Sequence, residues 1–209
     1  MQARTAATLL VIIVVVSISA GCLDRFYEKP APLVTSQTPT ATPTQESLVS
    51  TLSPADMALQ PSDLPPDYFI KDRTVAAYDQ QTAISHELGW RQGYSVAYYR
   101  MNLVNEDITG ITQTLSVYPL ENMNKIFSVE KDNLLAPEQG MEKYEIPFPV
   151  IGDKSIAIRE TDPDDPYKVV TYTVLFISKN VDEKITMTGS TTDYEVLRSI
   201  TKIAAARIR

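Results

Sequence analysis

The stretch "ITGITQTLSVY", Ile108 to Tyr118, alternates Ile111, Leu115 and Val117 with Thr112, Thr114 and Ser116. Successive side chains of a strand point to opposite faces, so a period of two predicts one apolar and one polar face. The preceding "YSVAYYRMNLV", Tyr94 to Val104, is its expected partner, and "NEDITG" between them has the composition of a hairpin connection. Strands of this one-sided kind belong to an antiparallel sheet with one face on a core.

On the N-terminal side, "DYFIKDRTVA", Asp67 to Ala76, follows the turn-forming "LPPD" and reads as a first strand. "DQQTAISHELG" predicts a short helix with Asp79 as N-cap, Ile84 and Leu88 on one face and Gly89 as the stop. A strand placing Ile84, His86, Leu88 and Trp90 on one face is the alternative. On the C-terminal side, Pro119 opens a helix with Leu120, Met123, Phe127 and Leu134 on one stripe, ending near Ala136-Pro137.

The second half follows the same plan. "IGDKSIAIRE" predicts a strand, "TDPDDP" a turn, and "YKVVTYTVLFIS" a long apolar strand. "KN" is a tight turn that Asn180 can enter at positive φ. The next strand points Val181, Ile185 and Met187 inward and Asp182, Lys184 and Thr186 outward. "TTDYEVLRSITKIAAARI" is a helix with a Thr192–Glu195 capping box and Leu197, Ile200, Ala204 and Ile208 on one face.

Each half runs strands first and a helix last, the arrangement an internal duplication would leave, although the halves share little sequence. The expected class is α+β: a two-layer sandwich of one antiparallel sheet with the helices packed on one face.

Composition narrows the partners. The chain has 209 residues and a net charge of −7. The acidic excess lies after Pro54, where 16 Lys+Arg face 23 Asp+Glu. With no basic run for phosphates to recruit, nucleic acid is not an expected partner.

The N-terminus reads as an export and anchoring signal. Arg4 precedes the apolar run Leu9–Val16, then come Ser17, Ser19, Ala20 and Gly21, and then Cys22, the sole cysteine. "AGC" resembles the end of a lipobox, which would make Cys22 the site of lipid attachment and membrane lipid the first partner. Ser19 stands where an aliphatic residue is usual. An uncleaved helix over Ala6–Leu23, about 27 Å long, is the second reading. Simple cleavage with release is a third, and Cys22 as half of an intermolecular disulfide has no supporting pattern.

From Pro30 to Pro54, 15 of 25 residues are Pro, Thr or Ser, with no aromatic and a single acid. Such a segment buries too little apolar surface to fold. It predicts an extended stalk of roughly 70–80 Å at about 3.1 Å per residue, a candidate for O-glycosylation. The expected organisation is a signal or anchor over 1–22, a stalk over 23–60 and a domain over 61–209. That domain has no cysteine, so packing must hold it together.

Three features bear on chemistry. His86 is the single histidine and, with no cysteine in the domain, offers no zinc set, so no metal or other cofactor is expected. "DPDDP", Asp162–Pro166, gathers three carboxylates but lacks the spacing of a calcium loop, and a turn accounts for it. "GWRQGY" brings Trp90, Arg91 and Tyr94 together, with Tyr98 and Tyr99 beyond. An aromatic cluster with an arginine suits a stacking ligand, or a connector that plugs the sheet edge with a ring. No nucleophile elbow, phosphate loop or paired zinc motif is present, so an enzyme is not expected.

The anchor "ISAGC", the Thr/Pro stalk and the "GW–x2–GY" stretch resemble uncharacterised cell-surface lipoproteins of methanogenic archaea. "IGDKS" and "ISKNVDEKITMTG" resemble segments of small extracellular α+β domains, including those of bacterial sensor lipoproteins. The resemblance implies a membrane-anchored domain outside the cytoplasm and carries no catalytic residues. The leading expectation is an extracytoplasmic binding or interaction module for an unknown surface ligand or protein. An anchored envelope hydrolase and an accessory subunit docking on a membrane complex are the alternatives.

Overall fold

The computed structural model describes residues 49–102 and 107–209. The anchor segment, Cys22 and residues 23–48 of the expected stalk lie outside the described residues, as do residues 103–106, which end the expected strand Tyr94–Val104 and begin the expected hairpin connection.

Seven strands form one antiparallel sheet in the order β1-β2-β3-β7-β6-β5-β4. They are β1 (Phe69–Ala76), β2 (Gln92–Asn102), β3 (Asp107–Val117), β4 (Glu142–Ile146), β5 (Lys154–Thr161), β6 (Val170–Ser178) and β7 (Val181–Gly189). Four helices accompany them: α1 (Pro54–Met57), α2 (Ala83–Glu87), α3 (Met123–Leu135) and α4 (Tyr194–Arg207). Over Tyr94–Asn102, the expected pairing with the Ile108–Tyr118 segment is present as the β2–β3 ladder, which runs from Gln92↔Val117 to Asn102↔Asp107. The α+β class with an antiparallel sheet holds. No helix among the described residues is long and apolar enough to cross a membrane.

The helices do not share one face, and here the expectation needs correction. Val96, Ile111, Leu115, Val174, Phe176, Ile185 and Met187 form the larger core with Met57 of α1 and Leu197, Ile200 and Ala204 of α4. Ile156, Ile158, Leu175 and Ile177 point to the other face, against α3 and the α2 connection. The cause lies in β6, where Val174, Leu175, Phe176 and Ile177 are all buried. A strand that is apolar on both faces needs cover on both.

The folded unit also begins earlier than expected. Met57, Ala58 and Leu59, assigned above to the stalk, are no more than 1% exposed and sit in the larger core. Polar bonds fix this strap: the Leu59 N–H donates to Gln113 Oε1 at 2.7 Å, and Tyr98 Oη donates to the Leu59 carbonyl at 2.6 Å. Ser53 caps α1, accepting from the Asp56 N–H.

Local signals were misplaced by a few residues in three places. Thr82, rather than Asp79, caps α2 by accepting from the Ser85 N–H. Asp193, rather than Thr192, caps α4 through bonds to Glu195 and Val196. In the Lys179–Asn180 turn it is Lys179 that takes positive φ, 55°. Its N–H is held by Asp153 Oδ2 at 2.8 Å, and Asn180 is left to use its side chain elsewhere.

Candidate functional site

Four segments meet at one end of the sheet. The Arg91 N–H bonds the Val117 carbonyl at 2.9 Å, which ties the entry of β2 to the exit of β3. The next residue, Tyr118, donates its N–H to the Asn180 carbonyl at 3.1 Å, bringing in the β6–β7 hairpin. Asn180 is buried, and its Oδ1 accepts from the Ser50 N–H at 2.7 Å, which fastens the strap to the same hairpin.

Between these segments lies an open cleft of about 760 Å³. Val49 and Thr51 of the strap form one wall. Tyr118 and Asn180 form the base, and Arg91, Leu120 and Glu121 complete it. The volume is within the range of small-ligand sites, roughly 300–1,000 Å³. The lining combines apolar surface with one cation and one carboxylate. Neither Arg91 nor Glu121 has an ion-pair partner among the described residues. Arg91 is exposed, so its five donors are available to a bound group.

The structure separates the three residues of "GWRQGY". Trp90 is 5% exposed and packs with Leu88, Tyr118, Met123, Ile126 and Ile177, its Nε1 donating to Ser116 Oγ at 3.3 Å. Tyr94 lies half-buried on the opposite face, against the larger core. Arg91 alone of the three lines the cleft. His86 stands in the last turn of α2 with its ring 4.1 Å from that of Tyr78, and its buried Nδ1 has no protein partner.

The "DPDDP" carboxylates hold a turn. Asp162 Oδ1 accepts from the Asp164 N–H, and Asp165 accepts from the N–H groups of Tyr167 and Val169. Those two bonds hold the Asp165 carboxyl below its usual range.

Two acids of β7 correct the expected pattern: Asp182, expected to point outward to solvent, is buried on the α3 side, and Glu183, assigned to neither face above, is buried in the larger core. Asp182 and Glu183 are neighbours on β7 and point to opposite faces of the sheet, both buried. Glu183 Oε1 accepts from Gln113 Nε2 at 2.6 Å, while Oε2 has no partner. Burial pushes the Glu183 carboxyl up to about 8, against the stabilising bond from Gln113. Burial likewise pushes Asp182 up to about 8, reinforced by the nearby charge of Glu130 and opposed by Lys184. The alternation around Glu183 was visible, but its bond to Gln113, diagonal across the ladder in which Glu183 pairs with Leu115, depends on the β3–β7 register, which no local signal sets.

No protein-family model matches the chain, and no curated protein matches it significantly. Among solved structures, the fold is similar to the extracellular domain of PknH from Mycobacterium tuberculosis, with a TM-score of 0.54 and 8% identity. The match covers 73% of this chain and 93% of that one. At this identity the likeness is one of fold.

Proposed function

We propose that the chain is a membrane-tethered, extracytoplasmic binding module whose ligand occupies the cleft between the strap, Arg91 and the β6–β7 hairpin. The observation that carries this reading is an exposed arginine, with no ion-pair partner among the described residues, in a largely apolar cleft of ligand size. The apolar N-terminal run ending in Cys22 supports the tether, with lipid on that cysteine as the favoured form. A fold shared with a domain described as extracellular is compatible with the location. The function is one of binding without chemistry. The titratable side chains of the cleft are Arg91, Tyr118 and Glu121, and the strongly shifted acids Asp182 and Glu183 are not among its lining residues.

A thermal-shift screen tests this. The full-length chain in detergent micelles is melted against amino acids, small organic acids, short peptides and oligosaccharides, in parallel with Arg91→Glu. Arg91 is exposed, so the reversal should leave the unliganded melting temperature nearly unchanged. Compounds that stabilise the wild type should lose that effect in Arg91→Glu. Equal stabilisation of both proteins would place the ligand elsewhere.

A further inference from the structure

We propose that the cleft takes an extended peptide bearing a carboxylate side chain, laid along the strap residues Val49–Thr51. This deepens the reading of the cleft as a ligand site and rests on it. Residues Val49–Thr51 of the strap belong to no helix or strand. Of its first three residues, only Ser50 has a backbone hydrogen bond among the described residues, that to Asn180. Among the described residues, the backbone N–H and C=O groups of Val49 and Thr51 have no hydrogen-bond partner, and both residues line the wall of the cleft. A peptide backbone supplies donors and acceptors in alternation and is the ligand class best able to pair with such groups.

The side chains of the cleft add a reading of sequence. Arg91 presents a planar fork suited to a carboxylate, and Glu121 offers a second point of recognition for a cation. Val49 and Leu120 supply apolar surface between them. Charges of both signs around apolar surface match a mixed peptide better than a neutral sugar or a polyanion. A peptide docked here would also touch the hairpin residue that holds the strap, Asn180.

The test is affinity-selection mass spectrometry on the full-length chain in detergent micelles. One probe set is a library of N-acetylated hexapeptides with Glu fixed at the third position, and the other is maltohexaose and chitohexaose. Three variants accompany the wild type: Arg91→Ala, Thr51→Ala and Thr51→Pro, each checked for folding by its circular dichroism melt. Proline removes the N–H of residue 51, while alanine removes only its side chain.

The expected result is peptide retention at least about ten-fold weaker in Arg91→Ala and in Thr51→Pro, with Thr51→Ala within about two-fold of wild type. Equal retention by Thr51→Pro and Thr51→Ala would overturn the backbone pairing, and indifference to Arg91→Ala would overturn the carboxylate. Retention of the oligosaccharides but no peptide would overturn the peptide assignment and leave the cleft as a ligand site. Retention of neither would count against both. Should Thr51→Pro fail to fold, the Arg91→Ala comparison and the two probe sets still decide the matter.

Discussion

Trp90 lies so close over Gly93 that a Cβ built on the glycine would stand 3.0 Å from Trp90 Cζ2. The same Cβ would meet the Leu115 carbonyl at 3.1 Å and the Ala76 methyl at 3.2 Å. Two residues of "GWRQGY" thus form a local lock: the glycine clears a space on the strand, and the indole turns back to fill it.

Both partners of the lock should therefore be stability residues. Trp90→Ala is expected to cost about 3–5 kcal/mol, and Gly93→Ala about 1–3 kcal/mol through overpacking. Urea denaturation curves measure both. A loss below about 0.5 kcal/mol for Trp90→Ala would contradict the packing described here.

The strap should be as much a part of the domain as the sheet. A fragment starting at Pro61 loses Met57 and Leu59, both essentially unexposed, along with two bonds to the sheet from Leu59. Each deleted side chain is worth about 2–5 kcal/mol. Set against a typical domain stability of about 5–15 kcal/mol, their joint loss should leave the fragment largely unfolded. A fragment starting at Val49 should melt cooperatively. Equal melting of the two in circular dichroism would show that the strap is dispensable.

The boundary near residue 61 was misread because Pro, Ser and Thr surround a short apolar island, "MALQ", too brief to carry a period. Elsewhere the period served well. β3 and β7 alternate visibly because their α3-facing positions are polar over most of their length, and α4 shows its apolar stripe directly. In β6 the run "TVLFI" has no alternation, and that continuity was itself the sign of a strand covered on both faces. β4, "EKYEI", gave no signal, since an edge strand with half its residues in solvent needs little apolar patterning. For the site, Arg91 was legible as a free cation beside an aromatic. Glu121 and Asn180 were not, because they reach the cleft through the connection after β3 and the pairing of β6 with β7.

Stability should fall as pH rises. An acid whose pKa is higher in the folded than in the unfolded chain takes up a proton on folding, so its contribution is complete at low pH and is lost on deprotonation. For Asp182 and Glu183 the window runs from the usual carboxylate range, about 4, to about 8. Thermal or urea unfolding at pH 5 and pH 8 should differ by at least about 1 kcal/mol, with pH 5 the more stable. Glu183→Gln keeps the acceptor for Gln113 and cannot ionise, so it should flatten part of this slope. A protein more stable at pH 8 than at pH 5 would be inconsistent with two buried neutral acids.

Lipid on Cys22 can be read from mass alone. Wild-type protein extracted from membranes should lack Met1–Gly21 and carry added lipid mass, whereas Cys22→Ser should retain the full N-terminus. Fractionation is a weaker test, since the apolar run could hold the variant at the membrane. Intact wild-type protein still containing Met1–Gly21 would rule the lipid anchor out.

The central claim is that ligand enters the cleft between the strap and the β6–β7 hairpin, and amide chemical-shift mapping tests it most directly. The ¹⁵N-labelled chain is titrated with whichever compound stabilises it in the thermal screen. The account predicts a contiguous set of shifted amides at Thr51, Arg91, Tyr118, Leu120, Glu121 and Asn180, six of the seven residues that line the cleft. Shifts confined to Thr112, Thr173 and Thr186, paired across β3, β6 and β7, with those six amides unmoved, would contradict it.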